Sequence, residues 1–162
     1  LKYKGYASNP FVIYWKHLAY GPQDIRFFND TLANNINLLG DHKPDKYRLL
    51  KATEFASLQK LIERLDHGLD QQIHDDGSNF SGGERQRIGL ARALYKKDTN
   101  LMIFDEPTSA LDRNTSDYIL DKIKSLGSDV AVVLITHDKS ILHEFNKIYK
   151  LEAARLELVS RK

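Results

Sequence analysis

The sequence predicts an α/β fold in which a mainly helical stretch is followed by a parallel sheet, and three patterns carry that prediction. From about residue 98 onward strand and helix alternate: a wholly apolar run at 101–104, an amphipathic stretch at 113–126 and a second apolar run at 130–135. Between residues 31 and 65 apolar side chains recur at helical spacing instead. A further helix signal at 81–96 places Ile88, Ala91 and Leu94 on one face.

Taken in order, residues 1–16 are rich in Tyr, Phe and Trp and broken by Gly5 and Asn9-Pro10, so short extended pieces are expected. Residues 17–20 read as the end of a strand stopped by Gly21-Pro22. In the helical stretch Leu32, Ile36 and Leu39 form one stripe, and Leu58, Leu61, Ile62 and Leu65 a second, with Gly40 and Pro44 as punctuation. Residues 66–80 are polar and turn-rich, with Gly68, Asp75-Asp76-Gly77 and Asn79. The run at 101–104 ends in two acids and reads as a buried parallel strand. The helix at 113–126 carries Ile119, Ile123 and Leu126 on one face, and 130–135 is expected to be a second buried strand ended by Thr136-His137-Asp138. A short helix at 140–145 and a hairpin pairing 148–151 with 156–159 close the chain.

Composition excludes several classes. The 162 residues, 41% apolar and 28% charged, suffice for one globular domain and do not read as disordered. A net charge of +2 from 24 basic and 22 acidic side chains argues against nucleic acid or an anionic membrane as the main partner. No Cys is present, which rules out disulfides and thiolate metal sites. No run approaches the roughly 18–20 apolar residues that cross a bilayer. The start at Leu1, with neither an initiator Met nor an apolar leader, is expected of a piece of something longer.

Four segments carry chemistry, and each has a plain alternative. In Ser81-Gly82-Gly83-Glu84-Arg85-Gln86-Arg87 a hydroxyl and two glycines open a helix, offering backbone N–H groups to an anion; the plain reading is a Ser cap with a capping-box Glu84. The N–H groups of Gly82 and Gly83 are expected to face outward, where no part of the same chain needs them. Asp105 and Glu106 stand where ligands bind in open α/β sheets, although an acidic pair also suits a strand end meeting water. One such acid can hold Mg²⁺ while its neighbour takes a proton from an attacking water. Asp112, shortly after them, can simply cap the next helix. His137, past the second strand, is expected at the same sheet edge as Glu106, where an imidazole can reach a phosphate or the attacking water; many such His residues are merely surface groups. Gln23, in the turn after the first strand, is ordinarily a solvated polar residue.

Jointly, in this order and spacing, these residues resemble the ATP-binding cassette (ABC) ATPase family. Ser78 to Arg87, continued by Ala91-Arg92-Ala93-Leu94, is similar to the family signature; Leu101 to Glu106 to the Walker B strand; Ser109-Ala110-Leu111-Asp112 to the D-loop; His137 to the switch histidine; and Gln23 to the Q-loop glutamine. The resemblance implies part of a RecA-like P-loop NTPase sheet with an inserted α-helical signature subdomain. Residues 1–30 would be the end of the N-terminal strand region with the Q-loop, 31–97 the helical subdomain, and 98–162 the rest of the core. It implies Glu106 as general base, His137 on the γ-phosphate, and Asp105 and Gln23 toward Mg²⁺. Gln23, Ser81, Gly82, Gly83 and Asp112 are assigned to ATP, the signature residues to ATP held by an opposite subunit.

The exporter subclass is implied by Pro22 to Leu32 with Asn35-Ile36, and by the Gly68-Leu69-Asp70 and Asp76-Gly77 turns, which half-transporters for lipids, peptides or drugs share. The implied cofactors are ATP and Mg²⁺. The implied partners are a second nucleotide-binding domain and transmembrane domains, with no nucleic acid, at the cytoplasmic face of a membrane. Alternatives are a soluble ABC ATPase of DNA repair or translation, and a non-catalytic remnant. Two substitutions depart from the family: Gly21 replaces a usual β-branched residue and should weaken its strand, and His74 replaces a frequent Gly. No Gly-x-x-x-x-Gly-Lys-Ser/Thr occurs; the family carries that Walker A loop, and the aromatic that stacks on adenine, upstream of Leu1, and Tyr3, Tyr6 and Phe11 do not replace the latter. The chain alone is therefore expected to be inactive.

Overall fold

Along the chain, strand β1 (Leu18–Gly21) leads to the two-residue strand β2 (Asp30–Thr31) and to helices α1 (Leu32–Ile36), α2 (Lys46–Phe55) and α3 (Gln59–Arg64). A 3₁₀ turn at Gly68–Asp70 and strand β3 (Gln72–Ile73) precede the long helix α4 (Gly82–Tyr95). Then come β4 (Leu101–Asp105), α5 (Arg113–Lys124), β5 (Ala131–Ile135), a second 3₁₀ turn at Lys139–Glu144, and the hairpin of β6 (Lys147–Glu152) and β7 (Arg155–Arg161). The computed structural model describes residues 15–38, 43–74, 77–127 and 130–161. The extended pieces expected at the N-terminus, and Leu39 and Gly40, lie outside these except for Trp15 and Lys16.

Three parallel strands in the order β1–β4–β5 form the platform for the site. Gly21 is in register with Phe104, and Asp105 with Ile135, so the carboxyl ends of all three strands reach one edge. Helix α5 crosses from β4 to β5 and buries Ile119 and Ile123 against Phe104 and its neighbours. Helix α4 packs on β1 with Ala93 beside Gly21, on the face of the sheet that carries Phe104.

The helices start where the sequence supplies caps. Thr31, Asp45, Ser81 and Asp112 each accept a backbone N–H three residues on, opening α1, α2, α4 and α5. The stretch at 31–65 divides into α1, α2 and α3, and Ser57 turns the chain at φ +53° between the last two. Leu32, Ile36, Leu49, Leu58 and Leu61 still close one core with Ile88 of α4.

Two expectations are corrected, on β5 and on 140–145, and Gly21 gains a packing context. The strand at 130–135 was expected to be buried, but Val133 and Ile135 are 46% and 47% exposed. Their alternates Val132 and Leu134 pack on the core, so an apolar run that reads as buried on both faces is covered on one. Gly21 pairs within the ladder, and a Cβ there would lie 2.9 Å from the Cδ1 of the fully buried Phe104. Glycine at this position makes room for that ring. The short helix expected at 140–145 is the 3₁₀ turn Lys139–Glu144.

Candidate active site at the sheet edge

Parallel register brings Asp105, expected to hold the metal, to one edge with Glu106 and His137. The hydroxyl of Tyr20 on β1 donates to Asp105 Oδ2 at 3.1 Å, and burial, followed by that carboxylate, raises the Tyr20 pKa. Glu106 begins the turn after β4, donating its N–H to Ile135 O at 2.9 Å. Its Oε1 accepts the His137 backbone N–H at 2.7 Å, and the His137 ring Nε2 stands 3.8 Å from the same oxygen. The Glu106 side chain is 12% exposed and that of His137 98%, so a shielded carboxylate sits beneath an imidazole open to solvent. Gln23 lies two residues past β1 at the same edge, exposed and apart from these contacts.

Glu106 has a left-handed backbone, φ +48°. A non-glycine residue there costs roughly 1–2 kcal/mol, and the surrounding hydrogen bonds hold it. Such strain is characteristic of residues whose position the local chemistry requires.

The donors at this edge fit a small hard cation. Mg²⁺ commonly takes one or two carboxylates and completes its shell with phosphate and water oxygens. Asp105 supplies such a carboxylate, with a neutral hydroxyl and not a cation on Oδ2. Among the described residues no three His, Asp or Glu side chains cluster into an all-protein cage.

At the start of α4 both halves of a capping box are present: Ser81 N–H donates to Glu84 Oε2 at 2.9 Å and Glu84 N–H to Ser81 Oγ at 3.3 Å. Arg64 of α3 reaches Glu84 Oε1 at 3.0 Å. Burial pushes the Glu84 carboxyl up, but the Ser81 N–H, then Arg64, outweigh it and leave its pKa below the usual value. The two glycines differ. A Cβ on Gly82 would meet nothing nearer than Ala110 Cβ at 3.9 Å, whereas one on Gly83 would lie 2.7 Å from Ala110 O. The lack of a Cβ at Gly83 is thus required by its own chain, whatever its N–H meets. Asp112 caps α5 through Thr115 N–H at 3.1 Å and the Thr115 hydroxyl at 2.7 Å.

A sequence profile of the family described as ABC transporter matches residues 7–109. The chain belongs to the ABC transporter family. Its sheet and helices are part of that family's RecA-like fold. It is 36% identical over 88% of its length to the ATP-dependent lipid A-core flippase of Pasteurella multocida, and 36% identical over 90% to that of Aliivibrio fischeri. A solved structure of a bacterial Atm1-family ABC exporter with ATP bound superposes on 88% of the chain with a TM-score of 0.80 and 33% identity. The chain spans about a quarter of each: 24% and 25% of the two flippases and 25% of the exporter chain.

Two residues of this ABC chain that the sequence reading quoted only as parts of the signature segment make contacts it did not foresee. Gln86 is 3% exposed and bonds the turn carrying Glu106. Arg92 donates to Asn35 O and Arg26 O, both at 2.7 Å, and to Asn35 Oδ1 at 3.1 Å, joining α4 to the segment after Gln23. Held by neutral oxygens against the Phe27 ring, its guanidinium is pulled by burial to a pKa of about 10. A signal existed for Gln86: it shares a helix face with Leu90 and Ala93, and a polar residue on a buried stripe needs partners.

Among the described residues no helix is long and apolar enough to cross a membrane.

Proposed function

We propose that this chain is the catalytic portion of an ATP-driven exporter that hydrolyses Mg-ATP to move a lipid cargo across a membrane. The observation that carries the reading is the Glu106 carboxylate, shielded and fixed by the His137 N–H beside Asp105. In this reading water attacks the γ-phosphorus, the bond to the β–γ bridging oxygen breaks, and ADP leaves. Glu106 takes the proton of that water, and the exposed His137 imidazole reaches the γ-phosphate oxygens. Asp105 would hold Mg²⁺, which offsets charge on the phosphate oxygens when bound. Gln23, just past β1 at the same edge, would face the same ligand as a link between this edge and the membrane part.

Ser81 and Gly82 offer a capped, open helix start, and a helix N-terminus favours an anion by only about 0.3–1 kcal/mol when exposed. That suits closure on ATP already held by a second nucleotide-binding domain, not capture of free ATP. The chain contains no Gly-x-x-x-x-Gly-Lys-Ser/Thr, so alone it should bind Mg-ATP no tighter than roughly millimolar, about −4 kcal/mol. Micromolar binding in calorimetry would contradict that. The lipid cargo rests on relatives described as lipid A-core flippases.

The test is reconstitution of the full-length protein containing this chain into liposomes, following Mg-ATP hydrolysis and the leaflet exchange of labelled lipid A. ATP-dependent exchange is expected. Hydrolysis indifferent to reconstitution, with no ATP-dependent exchange, would instead assign the chain to a soluble ABC ATPase.

A further inference from the structure

Gln86 lies on α4, five residues after the Ser81 cap, yet its side chain reaches the turn after β4. Its Nε2 donates to the backbone carbonyl of Glu106 at 2.5 Å and to Ser109 Oγ at 3.0 Å, and its Oε1 accepts the Ala110 N–H at 3.1 Å. A carbonyl on one side and an N–H on the other fix which way the amide points. Only a primary amide of this length presents a donor and an acceptor at those places; a carboxylate would set oxygen against the Glu106 carbonyl, and an ammonium would leave the Ala110 N–H unmatched.

The residue so held is Glu106, whose backbone is left-handed at φ +48°. Rotation of its peptide toward an ordinary conformation would turn the carbonyl away from Gln86 and carry the carboxylate from the His137 N–H. The Ser109 N–H and hydroxyl each donate to the same carbonyl at 3.2 Å, and the Ser109 Oγ accepts from Gln86 in turn. Close packing of Gly83 on Ala110 O adds a second contact between α4 and this turn.

We propose that Gln86 is a positioning residue that fastens the Glu106 turn to α4, so that the orientation of the carboxylate follows the position of the signature helix. The inference rests on Glu106 being the base, as argued above. Helix α4 presents its Ser81 end to one nucleotide while Gln86 steadies the base acting on another, so closing the first site sets the second.

The experiment is steady-state Mg-ATP hydrolysis by the full-length protein carrying Gln86→Leu, Gln86→Glu, Glu106→Gln, and Gln86→Leu with Glu106→Gln. Misplacing a reacting group by about 1 Å can cost on the order of 100-fold. For both Gln86 variants kcat should fall about 10- to 100-fold while KM for ATP stays within about threefold. In the Glu106→Gln background the Gln86→Leu change should alter the residual rate less than about twofold, because the group being positioned is gone. Gln86→Glu, nearly identical in shape, decides the matter if Gln86→Leu fails to fold. Normal kcat in a folded Gln86 variant, a raised KM at normal kcat, or an equal loss in both backgrounds would each overturn the proposal. Glu106→Gln that retains more than a tenth of wild-type turnover would instead remove the catalytic reading beneath it.

Discussion

Leu32, Ile36, Leu58 and Ile88, in the helical region between β2 and the middle of α4, are at most 1% exposed, whereas Val133, Ile135, Leu151, Leu156 and Val159, in β5 and the hairpin, stand between 46% and 73% exposed. Both regions spend the same kinds of residue. The helical region folds its stripes onto one another and onto α4, so its core closes within the chain. The outer strand packs Val132 and Leu134 inward and leaves equally apolar side chains on its other face. Apolar side chains clustered in water mark a contact face. Periodicity therefore tells which face of an element wants cover, and only the fold tells whether this chain provides it.

The comparison can be broken most sharply by truncation. Ile88→Ala should cost about 2–5 kcal/mol, from lost burial and the cavity left behind, while Leu156→Ala should change stability by less than about 0.5 kcal/mol. Urea denaturation of the isolated chain measures both. Equal losses would mean that the hairpin is as closed as the helices.

Gly21→Val tests the boundary between the regions. If glycine merely weakened the strand, valine would stabilise it. With Phe104 Cδ1 only 2.9 Å from the added Cβ, overpacking should cost about 1–3 kcal/mol, read as a lower denaturation midpoint.

The smallest effect concerns how the helical region holds the start of α4. Glu84→Gln keeps the capping shape and loses the charge that meets Arg64, which is more than half exposed, so the loss should be under about 1 kcal/mol. Because the folded-state pKa of Glu84 is lowered, its ionised form stabilises the fold above the ordinary carboxylate value of about 4.3. That contribution disappears as pH falls through the lowered value. Melting curves of wild type and variant should separate at neutral pH and converge in acid; a gap constant down to pH 3 would contradict the assignment.

Legibility in the sequence follows the same division. The caps Ser81 and Asp112, and the apolar run ending in Asp105 and Glu106, carried enough local signal to place α4, β4 and α5 to within two residues of their ends. The adjacency of Glu106 and His137 was also readable, since both follow apolar runs expected to be neighbouring parallel strands whose carboxyl ends share one edge. The β2–β3 ladder was not, because two-residue strands have no periodicity to detect. Nor was the break at Ser57, whose left-handed backbone is set by packing and by Arg87 donating to its carbonyl. Gln86 was hidden because its partners are backbone atoms twenty or more residues away, about which side-chain identities say little, or side chains named for another role.

The central claim is that Glu106 is the base of an ATPase, and Glu106→Gln in the full-length protein tests it most directly. The variant preserves size and hydrogen bonding but cannot take the proton, and general-base catalysis typically contributes about 10²–10⁴-fold. Single-turnover Mg-ATP hydrolysis should fall within that range while equilibrium ATP binding stays unchanged; hydrolysis at more than a tenth of the wild-type rate, with binding intact, would show that the base lies elsewhere.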